Sequence, residues 1–497
     1  TGGAGMRLCV SSLSLGFLLF ALSTEAAAPA TSDPRPALLK RASGDTPLPK
    51  DLEDLCDHVG GRATGSAACT RAVAWAQEHM RATGVPKVYT ESFSVGVRWL
   101  PLSSEVRVLS PEAFVVRSVS APMSPTMPTP LEAKVVDVGE GLPADFTRLG
   151  KSLSGTILLV HQNPMKTLDD LFDEYMRTGP LLAAARVAGA SAILLESTRL
   201  RGLLYRHPVA FGALASLPVA VISREGAERM ARLLTQGEVR VHMQLQNETG
   251  GAYTSENVIG EIPGREKPEE VVLLGAHLDS WDLGTGAEDN GVNVAVVLDV
   301  ARAFVELGLK PRRTVRFVLF TGEEQGQYGS GGYAEKHKAE LKNHVAVVVF
   351  DEGSGRTNGF AVSGRKELRA PLAKALSVVP GMGEKAHSLD GFDGTDNFDF
   401  LLAGIPTFVA DQDAVPYLPD YHAESDVFER TNLKEAKRNA GLGAVLVWAL
   451  ADAPERPGKQ QTRAEVEALL KATKMDVQMK AFGHWDDWVA GKRGFPP

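Results

Sequence analysis

The sequence predicts an α/β protein: a mainly parallel, helix-covered sheet with a smaller α/β unit inserted. Three observations predict this. From Val271 onward short apolar runs alternate with helix-length amphipathic ones, the pattern of parallel strands joined by crossover helices. The first run, Val271 to Gly275, is apolar or small throughout, as a strand buried on both faces must be. Four prolines within Ala121 to Pro130 break the pattern, and beyond them it restarts as a separate strand–helix series.

A chain of 497 residues is too long for one ordinary core, so two or more domains are expected. With 44% hydrophobic and 23% charged residues the bulk of it is globular rather than disordered. A formal charge of -8 and the lack of any basic stripe exclude a sequence-independent nucleic-acid binder.

Thr1 to Gly5 precede the first methionine and read as a translation artefact. Met6 to Ala28 reads as a secretory signal: Arg7 supplies the positive start, Leu8 to Leu22 is mostly apolar, and Ser23 to Ala28 ends in small residues suited to cleavage. The apolar run falls short of the roughly 20 residues a spanning helix needs. The expectation is a secreted or periplasmic protein with no membrane attachment after cleavage. Of three cysteines, Cys9 leaves with the signal. Cys56 and Cys69 remain as a pair that either bridges or stays as two buried thiols.

Pro29 to Leu48, rich in Pro, Ala and Ser, reads as a linker or extended arm. Asp51 to Val59 is a short helix. Ser66 to Thr83 places Cys69, Ala72, Val73, Ala76 and Met80 at helical spacing, with Ser66 as N-cap and Gly84 as the stop. Val88 to Val95 and Glu105 to Leu109 alternate as strands do. Past the proline break, strands at Val135 to Val138, Thr156 to Val160, Ala192 to Leu195, Leu217 to Ile222 and Val239 to Leu245 alternate with helices at Gly179 to Ala188 and Glu225 to Leu234. This unit carries no His, Cys or paired-carboxylate cluster and reads as a lid or substrate-shaping module. Asn247-Glu248-Thr249 is a glycosylation sequon.

The main sheet then follows as strand 271–276, helix 292–306, strand 314–320, helix 329–341 and strand 344–350. Next come a strand at Phe360 to Val362, the helix Lys366 to Val379, a strand near Pro406 to Val409 and the helix Leu433 to Leu450. Thr462 to Met475 is a last amphipathic helix, and the aromatic, basic tail from Phe482 has no assigned role. The domains are thus 1–28 leader and signal, 29–120 N-terminal part of the main domain, 121–250 insertion, 251–455 main domain, and 456–497 C-terminal helix and tail.

Acids and histidines gather where these strands end, the edge at which open α/β sheets bind ligands. The first strand gives His277 and, after a glycine-punctuated loop, Asp289. The second runs into Glu323-Glu324, the third into Asp351-Glu352, and Tyr421-His422 lies in a polar loop before the last long helix. Singly each is weak, because a lone acid at a strand end usually caps or is solvated. Together they suit a pair of divalent metals, since His and carboxylates are what Zn²⁺ accepts when thiolates are absent. Asp289 is the natural bridge, and each metal takes one His and one further acid. Asp279 points along the chain with His277 and holds its tautomer. Of the adjacent glutamates, Glu324 ligates and Glu323 moves the proton of the attacking water. Tyr421 is placed to hydrogen-bond an oxyanion. His58, His79, His161, His207, His242, His337, His344, His387 and His484 have no comparable setting. Gly394-Thr395-Asp396 reads as a pocket wall.

These pieces resemble the co-catalytic dizinc exopeptidases, which include secreted bacterial aminopeptidases and plasma glutamate carboxypeptidase. The matching runs are N-V-I-G-E-I-P-G from Asn257, G-A-H-L-D-S from Gly275, G-A-E-D-N-G-V-N from Gly286, G-E-E-Q-G from Gly322, F-D-E-G-S-G from Phe350 and Y-H at Tyr421. G-G-R-A-T-G-S-A-A from Gly60 is similar to the opening helix region of these enzymes. The resemblance implies the zinc aminopeptidase type of sheet. It implies two Zn²⁺ held by His277, Glu324, Asp351 and His422 and bridged by Asp289, with Glu323 as general base. It also implies that Ala121 to about Gln246 is a protease-associated domain, and that the nearest branch acts on short peptides, often as a homodimer. Glu352, where some aminopeptidases carry an apolar residue, adds charge favouring a peptide with a free amine. The leading expectation is a secreted zinc exopeptidase releasing N-terminal residues or dipeptides. A carboxypeptidase of the same chemistry and a non-catalytic binding scaffold are the alternatives.

Overall fold

The computed structural model describes residues 1–5, 33–391 and 393–494. The expected signal and Cys9 lie outside the described residues. Thr1–Pro34 forms one unit and Arg35–Pro497 another; both sheets belong to the second. In chain order the strands are β1 (Lys87–Val95), β2 (Arg98–Ser110), β3 (Phe114–Val116), β4 (Ser118–Ser120), β5 (Leu131–Asp137), β6 (Ile157–Val160), β7 (Ala192–Glu196) and β8 (Val219–Ile222). There follow β9 (Arg240–Gly250), β10 (Tyr253–Ile262), β11 (Lys267–His277), β12 (Arg313–Phe320), β13 (His344–Val349), β14 (Thr357–Ala361) and β15 (Thr407–Gln412).

The main sheet has the order β1-β10-β12-β11-β13-β15-β14. Its centre, β12-β11-β13-β15, is parallel, while β10 pairs antiparallel with β12, β1 with β10 and β14 with β15. Parallel character is therefore confined to strands joined by crossover helices, such as Val292–Glu306 between β11 and β12. Along β11 successive side chains enter opposite cores. Val272, Leu274 and Ala276 pack with the helices Val292–Glu306 and Leu433–Asp452, while Leu273 packs with Tyr333 and Phe400 on the other face. Each such fully buried aliphatic contributes roughly 1.5–3 kcal/mol, which is why this strand is apolar without alternation.

The second sheet, β3-β2-β9-β5-β6-β7-β8-β4, starts earlier than the proline break. Arg98–Ser110 pairs along its length with Arg240–Gly250, because Val106 and Val108 share a core with Val241 and Met243. The prolines of 121–130 form a loop within this sheet, so its chain runs from Arg98 rather than from residue 121.

Two local expectations are corrected, and the structure places the sequon and the tail. Of the arm expected over Pro29 to Leu48, residues 29–32 lie outside the described residues and the rest is not extended throughout: Arg35–Ala42 is a helix whose Leu38 and Ala42 are buried, and Leu48 opens the next helix. The helix expected from Gly179 runs from Leu168 to Val187 and tolerates Pro180 internally. A reciprocal cap starts it, Asp170 N–H donating to Thr167 Oγ1 (3.2 Å) and Thr167 N–H to Asp170 Oδ2 (2.9 Å). Asn247 of the sequon is buried in β9 and donates its amide to the Ser124 carbonyl (2.9 Å), so the nitrogen a glycan needs is engaged. The C-terminal tail is part of the body: helices Met475–Ala481 and His484–Val489 bury Met475, Met479 and Trp488 against Phe398 and Leu402. Arg493 there forks onto Asp399 at 2.7 and 2.8 Å.

Cys56 and Cys69 are free, buried thiols. Among the described residues no helix is long and apolar enough to cross a membrane.

Candidate metal centre

The three neighbouring strands β12, β11 and β13 run parallel, so the residues after them emerge at one edge. His277 ends β11, Glu323 and Glu324 follow β12, and Asp351 follows β13. Asp289 lies on the turn before helix Val292–Glu306, and His422 on the loop beyond β15. The chain meets at this edge because buried parallel strands must all end there, and the loops fold back over it.

Two groups form and share one residue: His277, Asp289 and Asp351, and Asp289, Glu324 and His422. His277 Nε2 lies 3.1 Å from Asp289 Oδ1 and 2.9 Å from Asp351 Oδ1. His422 Nε2 lies 3.3 Å from Asp289 Oδ2 and 2.8 Å from Glu324 Oε2. All five expected ligand side chains therefore converge, with Asp289 in the middle. Glu323 stands beside them, its Oε2 4.0 Å from His277 Nε2.

The donor set fits divalent cations on two observations. Each imidazole turns Nδ1 to a backbone carbonyl, His277 to Asp279 O (3.0 Å) and His422 to Arg206 O (2.9 Å). A carbonyl only accepts, so Nδ1 carries a proton and Nε2 is the nitrogen each ring leaves for a cation. In addition, Asp289 Oδ2 and Glu324 Oε1 are buried with no hydrogen-bond partner, a costly condition that a metal relieves. Zinc ligands at bond lengths near 2.0–2.1 Å on a tetrahedron lie about 3.3 Å apart, close to the separations found here.

Electrostatics follow from burial. The His422 imidazole is pushed down to about 4, chiefly by burial. Burial also lowers His277, but the Asp351 charge and hydrogen bonds to the surrounding carboxylates outweigh it and raise that ring well above its ordinary value. Glu323 and Glu324 are raised well above the carboxylate range, first by burial. For Asp289 burial acts upward, and the His277 hydrogen bond with the two imidazole charges holds it below its usual value.

Asp279 differs in detail from expectation. Its carboxylate is 3.7 Å from His277 Nδ1, and the backbone carbonyl is the nearer acceptor. The carboxylate instead takes Thr64 Oγ1–H (2.6 Å) and Glu323 N–H (3.3 Å), fixing the backbone of the glutamate pair. Reading the sequence missed Thr64, and also Asp426, which accepts the N–H of Glu288 (2.6 Å) and Asp289 (3.2 Å) and so aims the shared carboxylate. Thr64 lies within the run from Gly60 that resembles the dizinc exopeptidases but has no assigned role there, and Asp426 is a single polar residue with no local signal.

A cleft partly open to solvent contains the cluster. Leu168, Leu171, Phe172 and Tyr175 of the second sheet's long helix line it, with Phe211 from the same unit and Phe482 from the tail. The Tyr421 ring stacks on His422 with centroids 3.7 Å apart. Gly394 and Thr395 form wall as expected, whereas Asp396 lies fully buried outside that wall, both oxygens unpartnered. His484, set aside above, also lines the cleft and is paired with Asp393 at 2.9 Å. Glu352 lines it too, accepting Gln412 N–H (3.0 Å), and burial pushes it up to about 8.

Residues 257–447 match the family described as Peptidase family M28. The chain is 28% identical over 408 residues to carboxypeptidase Q of Mus musculus, covering 81% of this chain and 85% of that protein. It superposes on the crystal structure of a Peptidase M28 precursor from Shewanella amazonensis with a TM-score of 0.77 and 28% identity, covering 86% of this chain and 98% of that one. The fold is also that of BSAP, a zinc aminopeptidase from Bacillus subtilis: TM-score 0.65, 20% identity, covering 84% of this chain and 98% of that one.

Proposed function

We propose that this chain, whose residues 257–447 match peptidase family M28, is one of the co-catalytic zinc exopeptidases, and that it binds two zinc ions and releases terminal residues or dipeptides from short peptides. The single observation carrying this reading is the division of Asp289, one oxygen toward His277 and the other toward His422. Asp289 with His277 and Asp351 would hold one cation, and Asp289 with Glu324 and His422 the other. Cations bound there supply Lewis acidity toward water and a carbonyl oxygen.

The chain's own residues do the rest. Glu323, next to ligand Glu324 and facing the same space, takes the proton of the attacking water and returns it to the leaving amine. Asp279 and Thr64 fix the Glu323 backbone during that transfer. Tyr421 donates a hydrogen bond toward the oxyanion. The aromatic wall from the second sheet and the tail excludes bulk water and bounds the length of peptide that enters.

Similarity to carboxypeptidase Q favours a second reading of the same chemistry, cleavage from the carboxyl end. Peptides blocked at one terminus decide between the two, since an aminopeptidase ignores a blocked C-terminus and a carboxypeptidase a blocked N-terminus. The test of the reading itself is a metal count on purified protein, with chelation and zinc add-back. Two zinc ions and activity that returns with them are expected; a protein that hydrolyses peptides fully after chelation overturns it. Export through Met6 to Ala28 belongs to the same proposal, checked by the N-terminus of protein recovered outside the cytoplasm.

A further inference from the structure

The second metal group is completed from outside the main sheet. The segment Leu204 to Arg206, in the connection between β7 and β8, lies antiparallel to His422 to Glu424. Arg206 N–H donates to His422 O (3.0 Å), Glu424 N–H to Leu204 O (3.1 Å), and Tyr205 faces Ala423 in an isolated bridge. The Arg206 carbonyl is also the acceptor for His422 Nδ1 at 2.9 Å. His422 therefore receives both its backbone restraint and its tautomer from one residue. It needs them, for His422 has φ of 57°, a left-handed conformation a side chain of this kind seldom adopts.

The Arg206 side chain points the other way. Its guanidinium forks onto Asp282, Nε to Oδ1 at 2.9 Å and Nη2 to Oδ2 at 2.8 Å, and its Nη1 donates to Ser120 O (2.7 Å). Asp282 belongs to the loop that leads from His277 to Asp289. The side chain is only 5% exposed, and the bidentate fork fixes it in one orientation. One residue of the second sheet's unit thus clamps the loop carrying His277 and Asp289 to the loop carrying His422. His277, in contrast, finds its Nδ1 acceptor on its own loop, at Asp279 O, so the unit reaches it only through Asp282.

We infer that Arg206 is a positioning residue for the cation held by His422, and that the second sheet's unit is thereby a working part of the metal centre and not only a wall above it. The inference rests on the dizinc reading. It follows that weakening the clamp loosens one ion and spares the other, since a metal-ligating imidazole loses roughly 10–100-fold in metal affinity when its hydrogen-bond acceptor is displaced.

The experiment titrates zinc into the full-length protein against a chromophoric chelator, for the native chain, Arg206→Met and Glu424→Ala. Glu424 is partly exposed and holds the strap from its other side, accepting Leu204 N–H at 2.8 Å and pairing with Arg117, so this variant carries the test if Arg206→Met does not fold. The expected result is two tight ions in the native chain, and in each folded variant one tight ion and one weakened about 10–100-fold. Activity of the variants should return at excess zinc, which a merely misfolded protein would not show. Two tight ions in the variants, or equal weakening of both, overturns the inference and leaves the dizinc reading standing. Fewer than two ions in the native chain overturns that reading and this inference with it.

Discussion

The hydroxyls of Tyr175 and Tyr421 lie 2.9 Å apart, joining the long helix of the second sheet's unit to the residue that precedes His422. Tyr421 is thereby held with its ring flat on the imidazole and its oxygen in the cleft. Either hydroxyl can donate in this pair, and with Tyr175 donating, Tyr421 keeps its own proton for an oxyanion. Tyr421→Phe should lower kcat about 10²–10³-fold, as loss of an oxyanion donor does, with KM changed only a few-fold. Tyr175→Phe should cost less than tenfold. Steady-state kinetics on one dipeptide substrate check both, and a Tyr421→Phe protein within threefold of the native kcat removes the hydroxyl from the mechanism.

Glu323→Gln keeps the shape and the backbone hydrogen bond to Asp279 while removing the proton acceptor. The expected loss is about 10²–10⁴-fold in kcat with zinc content unchanged. Asp279→Ala acts one step further out, leaving Thr64 Oγ1 and Glu323 N–H without their acceptor. It should cost about 10–100-fold. Elemental analysis beside the kinetics separates the two, because only a loss without metal loss speaks for proton transfer.

Removing metal should also destabilise the fold. Asp289, Glu324 and Asp351 are gathered around two imidazoles in a buried site, an arrangement that repels itself without cations. Zinc at a thousand times its dissociation constant contributes about 4 kcal/mol per site. Calorimetry should show a lower Tm after chelation, restored by zinc and rising with its concentration. A Tm indifferent to chelation contradicts a bound cation.

The sequence shows the centre of this molecule more clearly than its edges, and the reason is physical. Val271 to Gly275 and Val345 to Val349 are apolar without alternation because both faces are buried, so the strands and the acids at their ends are legible together. His277, Asp289, Glu323, Glu324, Asp351 and His422 all sit at such ends or on the loops beside them. The start of the helix Leu168–Val187 is hidden by Gly179 and Pro180, which read locally as a boundary. Its cap at Thr167 and Asp170 is a short polar signal within a polar stretch, and missing it meant missing Phe172 and Tyr175 in the cleft. Arg206 acts through its backbone carbonyl and Asp426 through its carboxylate on two distant backbone N–H groups, and no local pattern marks such contacts. β2 was half seen because only Glu105 to Leu109 alternates cleanly, which moved the apparent start of the second sheet past Arg98.

A last prediction concerns acid stability away from the metal centre. His344 opens β13 with Nδ1 facing Glu340 O (3.2 Å) and Nε2 facing the Tyr333 hydroxyl (2.9 Å). Burial, with the nearby Arg316 charge, pushes this imidazole down to about 3. In the unfolded chain a histidine takes up its proton near pH 6.5. Between these values the unfolded state binds more protons than the folded one, so stability rises with pH across the window and is lost as pH falls from 6.5 toward 3. At pH 4.5 the loss from this one group amounts to about 2–3 kcal/mol. His387, pushed down to about 4 by burial and the Arg369 charge, adds to it in the same direction. His344→Gln retains a donor and an acceptor but cannot titrate, so its urea-unfolding free energy should fall less steeply between pH 7 and 4.5 than that of the native chain. Equal slopes in the two proteins would mean that His344 takes up its proton within the fold.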